Sequence, residues 1–265
     1  MKIQQLRQQI LTDIIEEYPQ DLQGIAASLL IGDRSLLPSD IEEAYQDLGL
    51  SHVLAVSGLH VGVIGGLLFW LLIRSGIPRE RTYAFLFVFY PFYMVMTGCT
   101  PLVMRASLMA MAVVTSLRFR LNIHPLDGIS SACILILLIN PYYAFHIGFQ
   151  LSFLIAFALI VSSQVILKQY KTPFAQLVSL STLAQIALFP AVIYHFHQIS
   201  ILSLPLNLIY VPIVSVFILP LVLTLALMKM LSIGIFFDII AAFLSHLISF
   251  FHDAFITIMN LNLRT

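Results

Sequence analysis

Long apolar runs alternate with short polar or charged connections through most of this 265-residue chain. A membrane-spanning helix needs about 20 mainly apolar residues, and residues 172–228 contain no Asp, Glu, Lys or Arg. The pattern predicts eight candidate spans, near 52–73, 82–97, 102–117, 126–139, 143–167, 173–194, 199–227 and 233–259. Because some runs are short and one is long, we predict an all-α, polytopic membrane bundle of seven to eight spans.

Prolines fall inside two of the predicted spans. Pro91 lies in the second run, and Pro205, Pro212 and Pro220 lie in the seventh. A proline inside a helix removes a backbone donor, and lipid cannot satisfy the carbonyl that is left over. The sequence therefore predicts broken or re-entrant helices at these two places.

The first 48 residues have a different composition, because they hold most of the 13 acidic residues of the chain. Apolar residues recur there at helical spacing: Ile3, Leu6, Ile10 and Ile14. Pro19 is expected to end this first helix, and a second helix is expected to follow it. We predict that residues 1–48 form an acidic, amphipathic helical region at the membrane interface, and that residues 49–265 form the transmembrane domain.

Composition and charge place the bundle in a membrane and orient it. Apolar residues make up 60% of the chain and charged residues 10%, and a mean hydropathy of +0.97 excludes a soluble domain. Basic residues occupy every second connection: Arg74, Arg79, Arg81, Arg118, Arg120, Lys168, Lys171 and Lys229. The positive-inside rule predicts that these connections are cytoplasmic and that the N-terminal region lies on the outer face. No cleavable signal peptide is recognisable.

Hydrogen-bonding side chains lie at the start of the first apolar run. Residues 49–63 read GLSHVLAVSGLHVGV and supply His52, Ser57 and His60. A polar side chain in hydrocarbon costs roughly 2 to 3 kcal/mol on insertion scales, so such residues usually face a bundle interior or a hydrated path. The alternative is structural, with His60 bonding a carbonyl of a neighbouring helix and Ser57 bonding its own preceding turn.

Glycines recur every four residues in the same run. Gly58, Gly62 and Gly66 fall along one ridge of a helix, while Ser57 and His60 lie on nearly the opposite side. Such a ridge predicts that a neighbouring helix packs closely against it. Ser57 and His60 are then free to face an interior space.

Further polar residues lie inside the later spans. Arg105 is the only Lys or Arg within a predicted span, and it follows Pro101 by one turn. It can snorkel to lipid headgroups, or it can present a fixed positive charge to a conducting path for an anion. The uncharged polar residues can hydrogen-bond between helices or line the same path: Asn140, Gln150, Ser152 and Asn207.

Two other functions fit part of this pattern. A serine hydrolase needs a base beside its serine and donors for the oxyanion; Ser57 and His60 can touch, but no nearby span supplies an orienting carboxylate. A proton-coupled small-solute transporter would use His60 as its titrating group, because histidine changes charge between pH 5 and 8.

No CxxC, HExxH or cluster of ligating residues occurs, so we expect no metal and no cofactor.

Four blocks of sequence together resemble a known family. They read LLIGDRSLLPSDIEEAYQDLGLSHVLAVSGLHVGVI at 29–64, TGCTPLVMRASLMAM at 97–111, NPYYAFHIGFQLSFLIA at 140–156 and FHQISILSLPLNLIYVPIVSV at 196–216. Their order and content resemble the ComEC/Rec2 competence family. The combination of SHxLAxSGLHxG with a later RA and GFQLSF is specific, whereas SGLH alone would not be.

The resemblance implies a channel in the bacterial cytoplasmic (inner) membrane that carries a single strand of transforming DNA inward during natural competence. The implied partners are single-stranded DNA, membrane lipids, an outer DNA receptor, a cytoplasmic motor and possible further copies of the chain. Family members usually also carry an OB-like domain and a metallo-β-lactamase-like domain, neither of which is recognisable here. We therefore expect the membrane channel domain alone, without enzymatic activity. The residues nominated for its translocation path are His52, Ser57, His60, Arg105, Gln150 and Asn207.

Overall fold

The computed structural model describes residues 2–50, 54, 56–196, 203–230 and 234–262. Its α-helices are α1 Lys2–Glu17, α2 Gln20–Ile31, α3 Ser39–Asp47, α4 Gly58–Arg74, α5 Arg79–Met96, α6 Pro101–Phe119, α7 Pro125–Ile139, α8 Ile147–Gln169, α9 Pro173–Phe196, α10 Ser203–Ile213, α11 Leu219–Met230 and α12 Gly234–Asn262. A 3₁₀ turn, Pro141–Phe145, precedes α8, and a π-helical turn, Val214–Ile218, joins α10 to α11. These described residues contain no β-strand, so the predicted all-α class is confirmed.

Helices α4 to α12 coincide with the predicted apolar runs, because those runs are long enough and apolar enough to be helical in lipid. Five segments of the described chain are long and apolar enough to cross a membrane: Pro101–Phe119, Ile147–Ile166, Pro173–His195, Pro205–Lys229 and Phe237–Ile258. Two further apolar helices, α4 and α7, are shorter. The chain is a multi-pass helical membrane protein, and the predicted count of seven to eight spans is not confirmed.

The chain divides into two compact units. The first unit comprises Met1–Val56, Met96–Gly98 and Pro205–Thr265, and the second comprises Ser57–Val95 and Cys99–Leu204. This division follows packing within the chain. The predicted boundary near residue 48 concerns position relative to a membrane, and it stays a prediction.

Helix α6 is the centre of the second unit, where it packs against α4, α7 and α8, and α8 in turn packs against α9. Met104, Ile136 and Phe149 form a buried cluster between α6, α7 and α8. Gly65 on α4 lies directly against the Tyr90 hydroxyl of α5, and any Cβ at this position would overlap that hydroxyl. The second unit therefore brings the N-terminal halves of α4, α6 and α8 into one packed group.

The first unit packs α2 and α3 against α12, and α2 also contacts α1 and α11. Eight of the twelve residues of α2 are buried, among them Leu22, Ile25 and Leu29. Tyr45 of α3 is fully buried, shares a hydrogen bond with Tyr210 and makes edge-on ring contacts with His252 and Phe255. Residues of α2 and α3 thus belong to the buried core of the first unit.

The prolines have smaller effects than predicted. Pro91 lies inside α5, which continues to Met96, so the predicted interruption there is wrong. In the seventh run, the described residues 203–230 are helical throughout, and the helix widens into the π-helical turn after Pro212. The Ser215 hydroxyl donates to the carbonyl oxygens of Val211 (2.8 Å) and Pro212 (3.3 Å). Neighbouring turns and a serine thus satisfy the backbone that proline perturbs.

Candidate site at the N-termini of helices α4, α6 and α8

Ser57 and His60 meet at the beginning of α4. Ser57 has extended backbone angles (φ −104°, ψ 172°) and occupies the N-cap position, which serine favours. The backbone N–H of Ser57 donates to His60 Nδ1 at 3.0 Å, and the Ser57 hydroxyl lies 2.8 Å from the same nitrogen. Because Nδ1 accepts from a backbone N–H, it carries no proton, and the hydroxyl is its second donor. The predicted contact between these two side chains is present, and it has the form of a helix cap.

Arg105 lies on the second turn of α6 and reaches towards the start of α4. A Cβ placed on Gly58 would be 3.0 Å from Arg105 Nη2 and 3.5 Å from the Ala106 Cβ. Glycine at position 58 therefore leaves the space that the guanidinium occupies. Arg105 Nε donates to the buried Ser152 hydroxyl on α8 at 2.7 Å. The guanidinium is half-buried and is held between three helices.

The charge on Arg105 has no carboxylate partner in the described part of the chain. The ion pairs found there are Arg7–Asp33, Arg34–Glu42 and Lys229–Glu17, all in the first unit. The N-terminus of α4, the positive end of its helix dipole, lies beside the same guanidinium. Two sources of positive potential therefore meet where the surrounding helices are apolar. An anion or water is needed to stabilise that arrangement.

Gln150 takes part in a different contact, although it is close to Ser152 in sequence. Its side-chain nitrogen donates to the Ala144 carbonyl at 2.9 Å, and its oxygen accepts from His195 Nε2 at 2.7 Å. Residues two apart on a helix point about 200° apart, so Gln150 and Ser152 face different neighbours. The Gln150 contacts join α8 to α9 and to the preceding 3₁₀ turn, which supports the packing alternative for this residue.

Asn207 and His52 are not among the described residues of the second unit. Asn207 belongs to the first unit, where its side-chain oxygen is buried without a hydrogen-bond partner among the described residues. His52 lies outside the described residues. The roles of these two residues in a translocation path stay predictions.

The glycine ridge of α4 has unequal surroundings. A Cβ on Gly58 would touch Arg105, whereas a Cβ on Gly62 or Gly66 would have no described neighbour within 4 Å. The close helix contact occurs at Gly65, which is not on the predicted ridge. Packing of another helix against Gly62 and Gly66 stays a prediction, and within this chain the described neighbours leave that face open.

Ser152 and His195 are the partners of two nominated residues; Ser152 was expected as a bond between helices or a path residue, and neither was in the nominated set. Ser152 is the partner of Arg105, and His195 is the partner of Gln150. Both are polar residues within or at the end of apolar runs, which is the only signal for them in the sequence. The pairing itself depends on helix rotation and was not predictable.

The fold and this site together define a multi-pass helical membrane protein with a half-buried arginine at the junction of three helices. A family model described as Competence protein matches residues 29–264. The chain belongs to this competence protein family, in agreement with the resemblance drawn from its four sequence blocks.

Similar proteins support the same assignment. The chain is 38% identical over 254 residues to ComE operon protein 3 of Bacillus subtilis (strain 168), an alignment that covers 94% of this chain and 33% of that protein. It is 26% identical over 223 residues to an uncharacterized protein of Aquifex aeolicus (strain VF5), which covers 81% of this chain and 48% of that protein. The chain thus spans about a third to a half of the length of these relatives. No solved structure matches it.

Proposed function

We propose that this chain is the membrane domain of a DNA-uptake channel, and that it translocates single-stranded transforming DNA across the bacterial cytoplasmic membrane during natural competence. The observation that carries the proposal is the half-buried Arg105 guanidinium, which lies beside the positive end of α4 without a carboxylate partner among the described residues. A phosphodiester supplies the missing negative charge. Membership of the competence family supports DNA as the source of that phosphate.

A single cation suits a conduit better than a basic groove would. Proteins that hold nucleic acid tightly neutralise several phosphates, and their affinity rises with each contact. A conducting path must bind the passing group well enough to admit it and weakly enough to release it. The chain has no net charge, and the single guanidinium at the junction of α4, α6 and α8 meets each phosphate in turn.

The predicted orientation of the spans supports entry at this end. Arg74, Arg118 and Lys168 lie at the C-terminal ends of α4, α6 and α8. If these basic ends are cytoplasmic, the site around Arg105 lies near the outer face. A strand delivered by an outer DNA receptor would meet Arg105 first, and a cytoplasmic motor would draw it onward. The parts of the longer relatives that this chain does not cover would contribute the OB-like and metallo-β-lactamase-like domains that the resemblance implies.

Replacement of Arg105 tests this proposal. In cells whose only copy of the gene carries Arg105→Gln, we expect transformation to fall by roughly tenfold or more, because one charged contact of about 1.5 to 3 kcal/mol is lost. Arg105→Lys should keep part of the activity. Arg118→Gln is the matched control, since Arg118 lies at the other end of the same helix.

The readouts are the transformation frequency, the amount of labelled DNA that becomes resistant to external nuclease, and the membrane level of each variant. Equal protein levels with a selective loss of internalised DNA are expected for Arg105→Gln. Normal uptake in Arg105→Gln would contradict the proposal, as would an equal loss in the Arg118 control.

One observation favours a second candidate function, an intramembrane serine hydrolase centred on Ser57. The Ser57 hydroxyl lies 2.8 Å from His60 Nδ1, which is the distance expected between a nucleophile and its base. The backbone N–H of Ser57 shares that nitrogen, and this is the geometry of a cap. Labelling of the purified protein by a fluorophosphonate would support the hydrolase if the labelling is lost in Ser57→Ala. Absence of labelling would indicate that Ser57 serves as a helix cap.

A further inference from the structure

Four arginines of the second unit lie in and beside the connections that follow α4 and α6. Residues 75–78 join α4 to α5, and Gly76 reverses the chain there in a left-handed conformation (φ +84°). Residues 120–124 join α6 to α7. We call these four side chains the arginine patch: Arg74, Arg79, Arg81 and Arg120.

A hydrogen bond joins the two connections. Arg118 Nη1, in the last turn of α6, donates to the backbone carbonyl of Glu80 in the first turn of α5. The rings of Phe69 and Tyr83 stack between α4 and α5, with 5.7 Å between their centroids. These contacts hold the end of α4, the start of α5 and the end of α6 together. The arginine patch is therefore one surface, although its residues come from two connections.

This surface has an excess of positive charge. The four arginines of the patch are exposed, and the ion pairs found in the described part of the chain all lie in the first unit. The same region carries two carboxylates, Glu80 and Asp127, against five arginines when Arg118 is counted. Asp127 Oδ2 accepts from the His124 backbone N–H at 3.2 Å and thereby caps α7. The excess of three positive charges favours an anionic ligand.

The use of arginine in this region indicates a phosphate ligand. The positive-inside rule counts lysine and arginine alike, and the connection from α8 to α9 has Lys168 and Lys171 without an arginine. The two connections of the patch have arginine without a lysine. A guanidinium binds two phosphate oxygens through a planar fork, whereas an ammonium acts as a point charge. Membrane orientation alone does not require this choice.

Arg120 also occupies a backbone position that favours glycine. It is the C-cap residue of α6 in a left-handed conformation (φ +53°, ψ +41°), and its N–H donates to the Ser116 carbonyl. Glycine adopts this conformation without steric conflict, and an L side chain adopts it less readily. An arginine at this cap therefore indicates a role for the side chain itself.

The patch lies at the end of a segment that is long and apolar enough to cross a membrane. This segment, Pro101–Phe119, ends one residue before Arg120. Its 19 residues rise about 28 Å, close to the hydrocarbon depth of a bilayer of about 30 Å. Exposed apolar side chains surround its end: Leu117, Phe119, Leu121 and Ile123. Lipid covers such side chains, whereas a nucleic acid would leave them in water.

From these observations we infer that the arginine patch binds the headgroup phosphates of anionic phospholipids, and that the apolar side chains beside it contact the acyl chains. The inference depends neither on Arg105 nor on DNA uptake, and it holds for either orientation of the chain. Phosphatidylglycerol is the probe, because its headgroup carries a negative charge without the cation that phosphatidylcholine has. Each arginine near an anionic surface should favour binding by roughly fivefold.

Trp70 serves as the reporter. It is the single tryptophan of the chain, it is exposed, and it precedes Arg74 by one turn of α4. The chain is reconstituted in vesicles of phosphatidylcholine and phosphatidylglycerol, with bromine on the acyl chains of one lipid or the other. Because bromine quenches tryptophan at short range, we expect brominated phosphatidylglycerol to quench more strongly, with a relative affinity of roughly fivefold or more. Equal quenching by the two lipids would overturn the inference.

Arginine and lysine variants test whether the patch causes this preference. Arg74→Gln/Arg79→Gln should bring the relative affinity close to one. Arg74→Lys/Arg79→Lys should lower it in part, because the charge stays and the fork is lost. The matched control, Lys168→Gln/Lys171→Gln, removes the same charge from the second unit and should keep the preference. An equal loss in this control, or an unchanged preference in either arginine variant, would show that the patch is not the site.

A competition experiment separates lipid from nucleic acid. A single-stranded oligonucleotide is added to the vesicles that contain brominated phosphatidylglycerol. We expect the quenching of Trp70 to stay the same, because the lipid headgroups occupy the arginines. Recovery of the fluorescence would assign the patch to nucleic acid and would contradict the inference.

Discussion

Arg105 Nε and the Ser152 hydroxyl are joined by a 2.7 Å hydrogen bond between α6 and α8. This bond leaves Arg105 Nη2 beside Gly58 at the start of α4, and Nη1 lies 3.9 Å from the sulfur of Met109 on its own helix. The orientation of the charge is therefore set by a residue 47 positions away in sequence.

Ser152→Ala should reduce DNA uptake while Arg105 remains present. The Ser152 hydroxyl accepts a charge-assisted hydrogen bond from Arg105. Removal of the hydroxyl loses this bond, which contributes about 1.5 to 3 kcal/mol to holding the guanidinium in place. We expect transformation to fall by roughly tenfold or more, with normal protein level. Ser163→Ala on the same helix is the control, because the hydrogen bond described for the Ser163 hydroxyl is to the Ile160 carbonyl of its own turn. Equal frequencies for the two alanine variants would show that the bond does not orient Arg105.

Gly58→Ala should also impair uptake, for a steric reason. The added methyl would lie 3.0 Å from Arg105 Nη2, which must then move away from the α4 N-terminus. Gly62→Ala is the matched control, since a methyl there has no described neighbour within 4 Å. We expect internalised DNA to decrease in the first variant and to be unchanged in the second. A loss in both variants would point to helix propensity or to a partner on the ridge, and not to Arg105.

Gly65→Ala should destabilise the second unit through a clash with the Tyr90 hydroxyl. Overpacking of this kind typically costs about 1 to 3 kcal/mol. The thermal unfolding midpoint in detergent should fall, and Tyr90→Phe should restore part of it because the phenyl ring lacks the clashing oxygen. Gly66→Ala should have little effect, since its methyl meets open space. A double variant no more stable than Gly65→Ala would contradict this account of the contact.

The pH dependence of stability should report on Asp33. Bonds from the Ser35 side chain and backbone, with a smaller contribution from the charge of Arg7, hold the pKa of Asp33 below its ordinary value. The contribution of ionised Asp33 to the free energy of unfolding is therefore fully present above the unfolded-state pKa of about 3.9. It is lost as the pH falls through the lower pKa of Asp33 in the folded state. The unfolding midpoint of the natural chain should fall more steeply than that of Asp33→Asn between pH 5 and 3. Parallel curves for the two proteins would contradict the assignment.

The membrane helices were predictable because an apolar run in lipid can only be helical or barrel-like. The run near 102–117 became Pro101–Phe119, and the run near 173–194 became Pro173–Phe196. The contact of Ser57 with His60 was also predictable, since residues three apart share a helix face. These are local properties, and local properties can be read from spacing.

Contacts between helices were not predictable, because they depend on how each helix is rotated about its axis. The Arg105–Ser152 bond and the separation of Gln150 from it both depend on the rotation of α8. Pro91 was expected to break its span, but α5 continues through it to Met96. The burial of α2 was missed because its small apolar residues, such as Ala26 and Ala27, give a weak amphipathic pattern.

The most direct test of the central claim is whether a strand in transit protects the surroundings of Arg105 from water-soluble reagents. Met109 is the position to probe, since its sulfur lies 3.9 Å from Arg105 Nη1. The Met109→Cys variant is treated with a membrane-impermeant thiol reagent. The treatment is done with and without single-stranded DNA that a bulky end group has stalled in transit. Val113→Cys, on an exposed apolar position of the same helix, is the control. We expect the cysteine at position 109 to react without DNA and to be protected with it, and we expect DNA to have no effect at position 113. Unchanged labelling at 109 in the presence of the stalled strand would contradict it.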